Sequence, residues 1–242
     1  MRQAIDVSSA QDWRGEIRRL FDLQAGSRWA VARSTAPDRR KKLQRLRVAL
    51  DKHRGALAEG IRRDFGRAAD ESELIEIHPS FEEINFAIAH LTEWMRPEPI
   101  EAPILLADTA SEIRWEPKGQ VLILAPWNYP LFLTLGPLVG AIAAGNVVIL
   151  KPSEKVPETN RALRAALSDA FREDEVAMVE GEAPVAEALL ELPFDHVFFT
   201  GSTRVGKVVM AAAARTLASV TLELGGKSPA IVAPDAALER AA

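Results

Sequence analysis

The sequence predicts an α/β protein, a Rossmann-like, doubly wound parallel sheet with an N-terminal helical segment and a β-arm. Three observations support this fold class. Short apolar runs alternate regularly with helical patterns from Gly119 onward, which is typical of βαβ units. The runs "GQVLILAP" and "NVVILKPSE" are almost continuously apolar, as in a sheet that is covered on both faces. The 242 residues are 48% hydrophobic and 26% charged, enough for a sizeable core in a globular protein.

Helical patterns dominate the first hundred residues, which we predict to form the N-terminal helical part, residues 1–100. Leucine and isoleucine recur at helical spacing between Leu43 and Ile61, with Arg and Lys on the opposite face. We interpret the basic residues as a solvated face, because the whole chain has a net charge of −4. A second helical pattern runs from Ser72 to Trp94, with an expected break or kink at Pro79.

A change of period marks the β-arm, which we predict at residues 101–118. Two short apolar runs flank the polar segment "ADTAS", and "SEIRWEP" alternates polar and apolar residues. Such alternation over a few residues is typical of half-exposed strands. We therefore expect an extended hairpin here.

The α/β core is predicted at residues 119–226. Its five strands are the runs "GQVLILAP", "NVVILKPSE", "EVAMVEG", "DHVFFTGS" and "SVTLELGG". Each of the first four strands is followed by a helical pattern, and Pro157 lies near the start of the second helix, where a proline is tolerated. Beyond the core, "SPAIVAP" is predicted as a sixth strand and "DAALERAA" as the beginning of a helix.

Composition and charge disfavour several function classes. A net charge of −4 provides no basic field for nucleic acid, so we predict no nucleic-acid partner. The sequence contains no cysteine, which excludes disulfides, thiolate metal sites and a cysteine nucleophile within these 242 residues. The four histidines show no spacing typical of metal ligands, and we predict no metal site.

Membrane insertion is also disfavoured by the sequence. The stretch Leu131–Leu150 is as long as a membrane span, but Gly136-Pro137 and Gly145-Asn146 interrupt it. It divides more naturally into a buried helix and a buried strand. The N-terminal residues lack the apolar segment of a signal peptide. We therefore expect no membrane span and a cytoplasmic location.

Four polar motifs follow the predicted strands, at the edge where open parallel sheets bind ligands: "APWNYP", "KPSE", "FTGSTRVG" and "ELGGKSP". Gly201 and Ser202 precede a helix whose first N–H groups face an anion, although Ser202 is equally explained as an N-cap. The turn with Lys151 and Glu154 either holds ribose hydroxyls or is a charged surface turn. Asn128 either donates to an oxyanion through its side-chain amide or is an ordinary turn residue.

The carboxylate of Glu223 stands at the end of the fifth strand, before two glycines. A carboxylate in this position, close to a partly apolar site, can accept a proton as a general base. Gly225 and Gly226 allow the backbone to approach a ligand closely. The alternative is a local ion pair with Lys227, which we rank second once the four motifs are combined.

Taken together, the four motifs resemble the NAD(P)-dependent aldehyde dehydrogenase superfamily over nearly the whole chain. The segments "APWNYPLFLTLGPLVGAIAAGN" and "FDHVFFTGSTRVGKVVMAAAA" are most similar to the class 3 branch, which includes fatty, aromatic and coniferyl aldehyde enzymes. The resemblance implies a small-molecule aldehyde as substrate and NAD, or alternatively NADP, as cofactor. Glu154 favours NAD, because a carboxylate near the ribose 2′-hydroxyl repels a 2′-phosphate.

The resemblance also implies a role for each matching residue. Asn128 and Glu223 would be catalytic, the first as the donor to the oxyanion of the tetrahedral intermediate and the second as the general base. The implied cofactor contacts are Lys151 and Glu154 at the adenosine ribose, Gly201 and Ser202 at the pyrophosphate, Val205 at the adenine, and Leu224 and Gly225 near the nicotinamide. Trp127 is also assigned to the cofactor, without a particular group.

In the family mechanism, a cysteine thiolate attacks the aldehyde, hydride passes to NAD(P)+, and the glutamate activates the water that hydrolyses the thioester. The family places this cysteine downstream of the glutamate, in a second α/β domain. We therefore expect an N-terminal fragment, in which residues 227–242 are the truncated start of the catalytic domain. Such a fragment would lack aldehyde-oxidising activity, and the arm predicts a homodimer of the full-length enzyme.

Two alternatives remain open at this point. One is a non-catalytic, truncated nucleotide-binding module. The other is an acyl-phosphate or CoA-acylating reductase on the same scaffold. The motif "ELGGKSP" argues against such a reductase, because that chemistry does not use a hydrolytic glutamate.

Overall fold

Helices form the N-terminal layer of the molecule, as the spacing of the apolar residues predicts. The computed structural model describes residues 13–106 and 108–241, so residues 1–12 of the predicted helical part lie outside the described residues. The first helices are α1 (Trp13–Ala32), α2 (Ala36–Phe65), the short α3 (Ala69–Ser72) and α4 (His78–Trp94). Thr35 caps α2 in a capping box with Asp38, and Gly66 ends it with a left-handed φ of 69°.

A π-helical turn, Glu73–Ile77, joins α3 to α4. The expected break at Pro79 takes this form one turn earlier, because Pro79 itself lies in the first turn of α4, where it removes no helical hydrogen bond. Such turns insert one extra residue into the helical path and are frequent at functional sites. The π-helical turn contains Glu76, whose side chain is fully buried.

A two-stranded antiparallel ribbon follows the helical layer. It consists of β1 (Glu98–Ile100) and β2 (Ser111–Ile113), so it begins at Glu98, three residues before the range predicted for the arm. A short 3-10 turn lies between the two strands, and its residues Ile104 and Leu105 are 90% and 92% exposed. The ribbon therefore presents apolar side chains to its surroundings.

The five strands predicted for the core are all present and form one parallel sheet. They are β3 (Gln120–Leu124), β4 (Val147–Lys151), β5 (Val176–Met178), β6 (His196–Gly201) and β7 (Ser219–Leu224). The strand order is β5-β4-β3-β6-β7, with every neighbouring pair parallel. The connecting helices are α5 (Phe132–Ala144), α6 (Pro157–Ala170), α7 (Ala183–Leu190) and α8 (Thr203–Ala214). This topology confirms the predicted doubly wound α/β fold.

Alternate residues of the central strands pack into two separate cores. Val121 and Ile123 face the core formed by α2, α4, α5 and α6. Leu122 and Leu124 face the opposite core, which contains side chains from α1, α7 and α8. Because β3 and β4 are buried on both faces, their sequences are apolar runs rather than alternating ones.

The predicted sixth strand is wrong. Residues 225–233, which include most of "SPAIVAP", have no regular secondary structure, and Ile231 is 92% exposed. A strand exists only where its backbone pairs with a neighbour, and within the described part of the chain this segment pairs with none. The helix predicted in "DAALERAA" is present as the short α9 (Leu238–Ala241).

The apolar stretch Leu131–Leu150 divides, as predicted, into α5 and β4. The turn between them is made by Gly145, which has a left-handed φ of 89°. Within residues 13–106 and 108–241, no helix combines the length and the apolar character that crossing a membrane requires.

Candidate functional site

A cavity of about 1040 Å³ runs along the face of the sheet beside β3 and β6, where the strand order reverses, and reaches the carboxyl ends of these strands. This is the position at which open α/β sheets bind ligands, and the volume is at the upper end of ligand pockets. Seven of the ten predicted site residues line the cavity: Trp127, Asn128, Gly201, Ser202, Glu223, Leu224 and Gly225. They meet there because parallel strands all end at the same edge of the sheet.

The turn between β6 and α8 combines close packing with a local cap. The hydroxyl oxygen of Ser202 accepts a hydrogen bond from the backbone N–H of Val205 at 3.3 Å. Ser202 is therefore an N-cap, which was one of the two roles that the sequence suggested for it. A Cβ added to Gly201 would lie 2.5 Å from the Phe199 ring, and one added to Gly206 would lie 2.8 Å from Leu224. Gly206 therefore allows α8 to lie close to β7, and Gly201 leaves room for the Phe199 ring of its own strand.

Carboxylates from the N-terminal helices close the N-termini of α5 and α6. Glu76 accepts the backbone N–H of Leu131 at 2.8 Å, at the start of α5. Asp64 accepts the backbone N–H of Thr159 at 2.8 Å, in the first turn of α6. Each carboxylate satisfies amides that have no partner within the helix and opposes the positive end of the helix dipole.

The N-terminus of α8 differs from those of α5 and α6. Within the described residues no carboxylate accepts its first amides, and its cap residue, Ser202, lines the cavity. Ser202 contributes no charge, so the positive end of this helix dipole is not neutralised by a carboxylate of the helix itself. Of these three helix ends, α8 is the one suited to an anionic ligand.

Lys151 and Glu154 lie outside the cavity, at the end of the neighbouring strand β4. The buried Lys151 Nζ donates to Glu154 Oε2 at 3.2 Å and to the Pro152 carbonyl at 3.0 Å. Burial by itself would raise the pKa of Glu154, but a backbone hydrogen bond and Lys151 outweigh burial and hold that pKa below its ordinary value. Glu154 is therefore an ionised hydrogen-bond acceptor at neutral pH.

Trp127, which lines the cavity, contacts the turn that follows this pair, because Lys155 Nζ lies 5.7 Å from the centroid of the Trp127 ring. The Phe65 ring stacks with Trp127 at a centroid distance of 6.3 Å. The indole is thus flanked by α2 on one side and by the turn after β4 on the other. Val205, the third predicted residue outside the cavity, is 38% exposed in the first turn of α8.

Asn128 and Glu223 both line the cavity and are both exposed to it. Within the described residues, the side-chain amide of Asn128 has no protein hydrogen-bond partner, so its donors are available to a ligand. Glu223 stands opposite Thr200 in the β6–β7 register. The alternative ion pair between Glu223 and Lys227 is not formed among the residues that the structure describes.

His196 lies on the same face of the sheet and also lines the cavity. Its Nδ1 is 2.8 Å from Ser219 Oγ, and its Nε2 is 3.3 Å from Thr221 Oγ1. Burial lowers the pKa of His196, and the charge of Lys118 lowers it further. The imidazole is therefore neutral at pH 7, as one expects for a histidine bonded to two hydroxyls.

A second cavity, of about 770 Å³, lies beside α6 and β5, away from the four motifs. Its charged side chains are paired within the protein. Lys52 Nζ lies 2.7 Å from Asp169, and Arg172 lies 2.6 Å from Asp174. Its cations are thus already neutralised, and none of the ten predicted site residues lines it.

The sequence did not identify the residues of the N-terminal layer that bond to the backbone around this site. Arg67 and Glu76 hold the loop after β3, and Asp64 holds the start of α6. Glu76 had one visible signal, a single carboxylate inside the apolar run "LIEI". Arg67 and Asp64 are indistinguishable in sequence from the solvated charges around them.

The fold and the cavity define a Rossmann-like α/β protein whose ligand site lies at the reversal of strand order. The chain belongs to the aldehyde dehydrogenase family, whose model matches residues 22–242. This result confirms the resemblance on which the predicted residue roles depend, and it makes the chain a member of an oxidoreductase family.

The relatives include the class 3 and coniferyl types that the motifs predicted. The chain is 45% identical to a probable coniferyl aldehyde dehydrogenase of Pseudomonas aeruginosa over 241 residues, covering 98% of this chain and 51% of that protein. It is 46% identical to aldehyde dehydrogenase family 3 member B1 of Rattus norvegicus, covering 93% of this chain and 47% of that protein. The chain thus spans about half the length of the curated relatives it matches.

Solved structures give the same result. The substrate-bound state of Staphylococcus aureus AldH superposes with a TM-score of 0.85 and 37% identity, covering 88% of this chain and 46% of that one. An aldehyde dehydrogenase from Bacillus cereus, solved as an NAD+ complex, superposes with a TM-score of 0.77 and 30% identity, covering 93% and 47%.

Proposed function

We propose that this chain is the cofactor-binding part of an NAD(P)+-dependent aldehyde dehydrogenase that oxidises an aldehyde to a carboxylic acid. The observation that carries the proposal is the cavity of about 1040 Å³, in which Asn128, Ser202 and Glu223 come from three different strand ends. An amide donor, a helix N-terminus suited to an anion and a carboxylate in one cavity are the groups that this chemistry needs from a cofactor domain.

Two features of the site fit a dinucleotide. The N-terminus of α8 has no acidic residue in its first turn, which suits a pyrophosphate at Gly201 and Ser202. A Cβ at Gly225 would meet no atom within 4 Å, so the backbone is open to a ligand beside Leu224. When bound, the nicotinamide supplies the acceptor for the hydride of the aldehyde. The remaining contacts in the proposal are Trp127, Lys151, Glu154 and Val205, with the pair at 151 and 154 on the adenosine ribose and Val205 on the adenine.

We propose NAD rather than NADP as the preferred cofactor. Glu154 is ionised, and its carboxylate accepts hydrogen bonds from ribose hydroxyls but repels a 2′-phosphate. The NAD+ complex of the similar Bacillus cereus enzyme supports a nicotinamide cofactor on this fold.

The proposed chemistry assigns one task to each catalytic side chain. The Asn128 Nδ2 group donates a hydrogen bond to the oxygen that becomes negatively charged when a nucleophile attacks the aldehyde carbon. The Glu223 carboxylate takes a proton from water, whose oxygen then bonds to the thioester carbon while the thiolate leaves. The 242 residues contain no cysteine, so the proposal takes the thiolate from a protein segment outside this sequence.

The absence of cysteine also favours the second candidate, a non-catalytic nucleotide-binding module. Both candidates predict nucleotide binding, and they differ in whether a cysteine-containing segment completes the site. We further propose an aldehyde substrate, a cytoplasmic location and a homodimer of the full-length enzyme. The exposed apolar residues of the β1–β2 ribbon, among them Ile104 and Leu105, support the homodimer.

The test is to titrate the purified 242-residue chain with NAD and NADP by calorimetry, and then to add an aldehyde and follow absorbance of NADH. We expect one binding site, tighter binding of NAD, and no NADH above the level of a protein-free control. Failure to bind either nucleotide would refute the proposed cofactor domain. Formation of NADH by the chain alone would refute the requirement for an external thiolate.

A further inference from the structure

We infer that Arg67 and Glu76, which belong to the N-terminal helical layer, position the loop that carries Asn128. This inference rests on the proposed function, in which Asn128 donates to an oxyanion. Neither residue lines the cavity. They are therefore positioning residues, which act through the loop between β3 and α5.

Glu76 holds the end of this loop where α5 begins. The residue in the N-cap position of α5 is Leu131, whose side chain cannot cap the helix. The Glu76 carboxylate, 55 residues earlier in the sequence, caps α5 instead. Its Oε2 accepts the N–H of Leu131 at 2.8 Å and that of Phe132 at 3.4 Å. A carboxylate at this place satisfies two free amides and opposes the helix dipole.

The fully buried position of Glu76 requires a partner for its charge. Burial raises the pKa of Glu76, although the N–H of Leu131 and the charge of Arg67 act in the opposite direction. Arg67 Nη1 donates to Glu76 Oε1, and the side chain of Arg67 is itself 13% exposed. The two side chains form an ion pair that is enclosed by the helical layer and the loop.

The second branch of the same guanidinium holds Asn128 directly. Arg67 Nη2 donates to the backbone carbonyl of Asn128 at 3.2 Å. The guanidinium carbon also lies 5.3 Å from the centroid of the Tyr129 ring, a cation–π contact. A single arginine therefore fixes the peptide that follows Asn128 to a buried carboxylate.

This arrangement bears on the amide of Asn128 because the side chain has no protein hydrogen-bond partner among the described residues. Its position is set by its backbone alone. An oxyanion donor must lie about 2.7–3.1 Å from the oxyanion, and a misplacement of about 1 Å costs on the order of 100-fold in rate. The loop must be held, and the Arg67–Glu76 pair anchors it at Asn128 and at its α5 end.

The experiment uses the 242-residue chain labelled with ¹⁵N-asparagine. The asparagines are Asn85, Asn128, Asn146 and Asn160, and an Asn128→Asp variant assigns the side-chain resonance of interest. The test variants are Arg67→Lys, which keeps a charge beside Glu76 but has one nitrogen for two acceptors, and Glu76→Gln, which keeps the shape but not the charge. Amide exchange at Leu131 is followed in uniformly ¹⁵N-labelled samples of the same variants.

A third variant controls for simple loss of stability. Gln24 is fully buried, and its Nε2 donates to the Val148 carbonyl at 2.8 Å, far from the loop. Gln24→Leu removes this bond and the bond to the Glu173 carbonyl, so it lowers the denaturation midpoint without touching the Asn128 loop.

We expect the Asn128 side-chain resonances to shift or broaden in Arg67→Lys and Glu76→Gln but to stay unchanged in Gln24→Leu. We also expect exchange of the Leu131 amide to be about tenfold faster in Glu76→Gln, since a charge-assisted bond is lost. Asn128 resonances that coincide with wild type in both test variants would overturn the inference. So would an equal shift in Gln24→Leu.

This readout needs no nucleotide and no aldehyde. If the proposed function fails, the calorimetric titration of the wild-type chain shows no binding, while the Asn128 resonances still respond to Arg67 and Glu76. If the inference fails, the wild-type chain still binds nucleotide, and the Asn128 resonances are insensitive to both substitutions.

Discussion

The charge at the N-terminus of α8 provides the sharpest test of where the dinucleotide binds. Ser202 caps this helix through a hydrogen bond to the N–H of Val205 at 3.3 Å, and it lines the cavity. Asp and Asn cap helices as well as Ser does, and they have nearly the same shape. Ser202→Asp and Ser202→Asn therefore form a matched pair that differs in one negative charge.

The size of the expected effect follows from Coulomb's law. Two charges about 4 Å apart interact by about 1 kcal/mol in water and about 4 kcal/mol near a protein surface. Ser202 is exposed, so we take an intermediate value of about 2 kcal/mol for the repulsion between the new carboxylate and a pyrophosphate. We expect NAD to bind about 30-fold more weakly to Ser202→Asp than to Ser202→Asn.

The assay is a calorimetric titration of both variants at low and high salt, with urea denaturation to confirm equal folding stability. The difference should shrink as salt is added, because the charges are screened. Equal affinity of the two variants for NAD would mean that no phosphate lies at this helix end, and the assignment of Gly201 and Ser202 would be refuted.

Further predictions concern packing, protonation and cofactor choice. Gly201→Ala should lower the free energy of unfolding in urea by about 1–3 kcal/mol, because its Cβ would lie 2.5 Å from the Phe199 ring. The control is Gly225→Ala, whose Cβ would meet no atom within 4 Å. Equal losses in the two variants would refute the packing argument. The folded-state pKa of His196 is below the ordinary 6.5, so the unfolded chain takes up a proton first as pH falls. Its contribution to stability should therefore be present above pH 6.5 and decline as pH falls below it. His196→Asn should flatten this decline in urea midpoints measured from pH 7 to pH 5, and an unchanged slope would contradict the assignment. Glu154→Gln should raise the affinity for NADP relative to NAD in parallel titrations; an unchanged ratio would mean that Glu154 does not discriminate.

The sheet and its helices could be predicted because their signals are local. Each strand of the core is a short apolar run. Each helix shows a helical spacing of apolar residues and has residues that mark its start or end, such as Pro157 and Gly145. The strand "SPAIVAP" was predicted from the same kind of signal and is not a strand. Its outcome depends on a pairing partner, which no local pattern specifies.

The candidate site could be predicted in part for the same reason. Motifs that follow parallel strands must converge at one edge, so the gathering of Asn128, Ser202 and Glu223 follows from topology. The support of these residues could not be predicted. Glu76 bonds to an amide 55 residues away, and Asp64 bonds to one 95 residues away, without any spacing that relates the partners. Tertiary hydrogen bonds of this kind appear only when the helices are packed.

The most direct test of the central claim is a map of backbone amide shifts in the ¹⁵N-labelled chain as NAD is added. The account predicts that the largest shifts fall at residues 201–205 and 223–225 and in the loop that carries Asn128. Shifts confined to the second cavity, around Lys52 and Arg172, would contradict it, as would shifts that are absent at the start of α8.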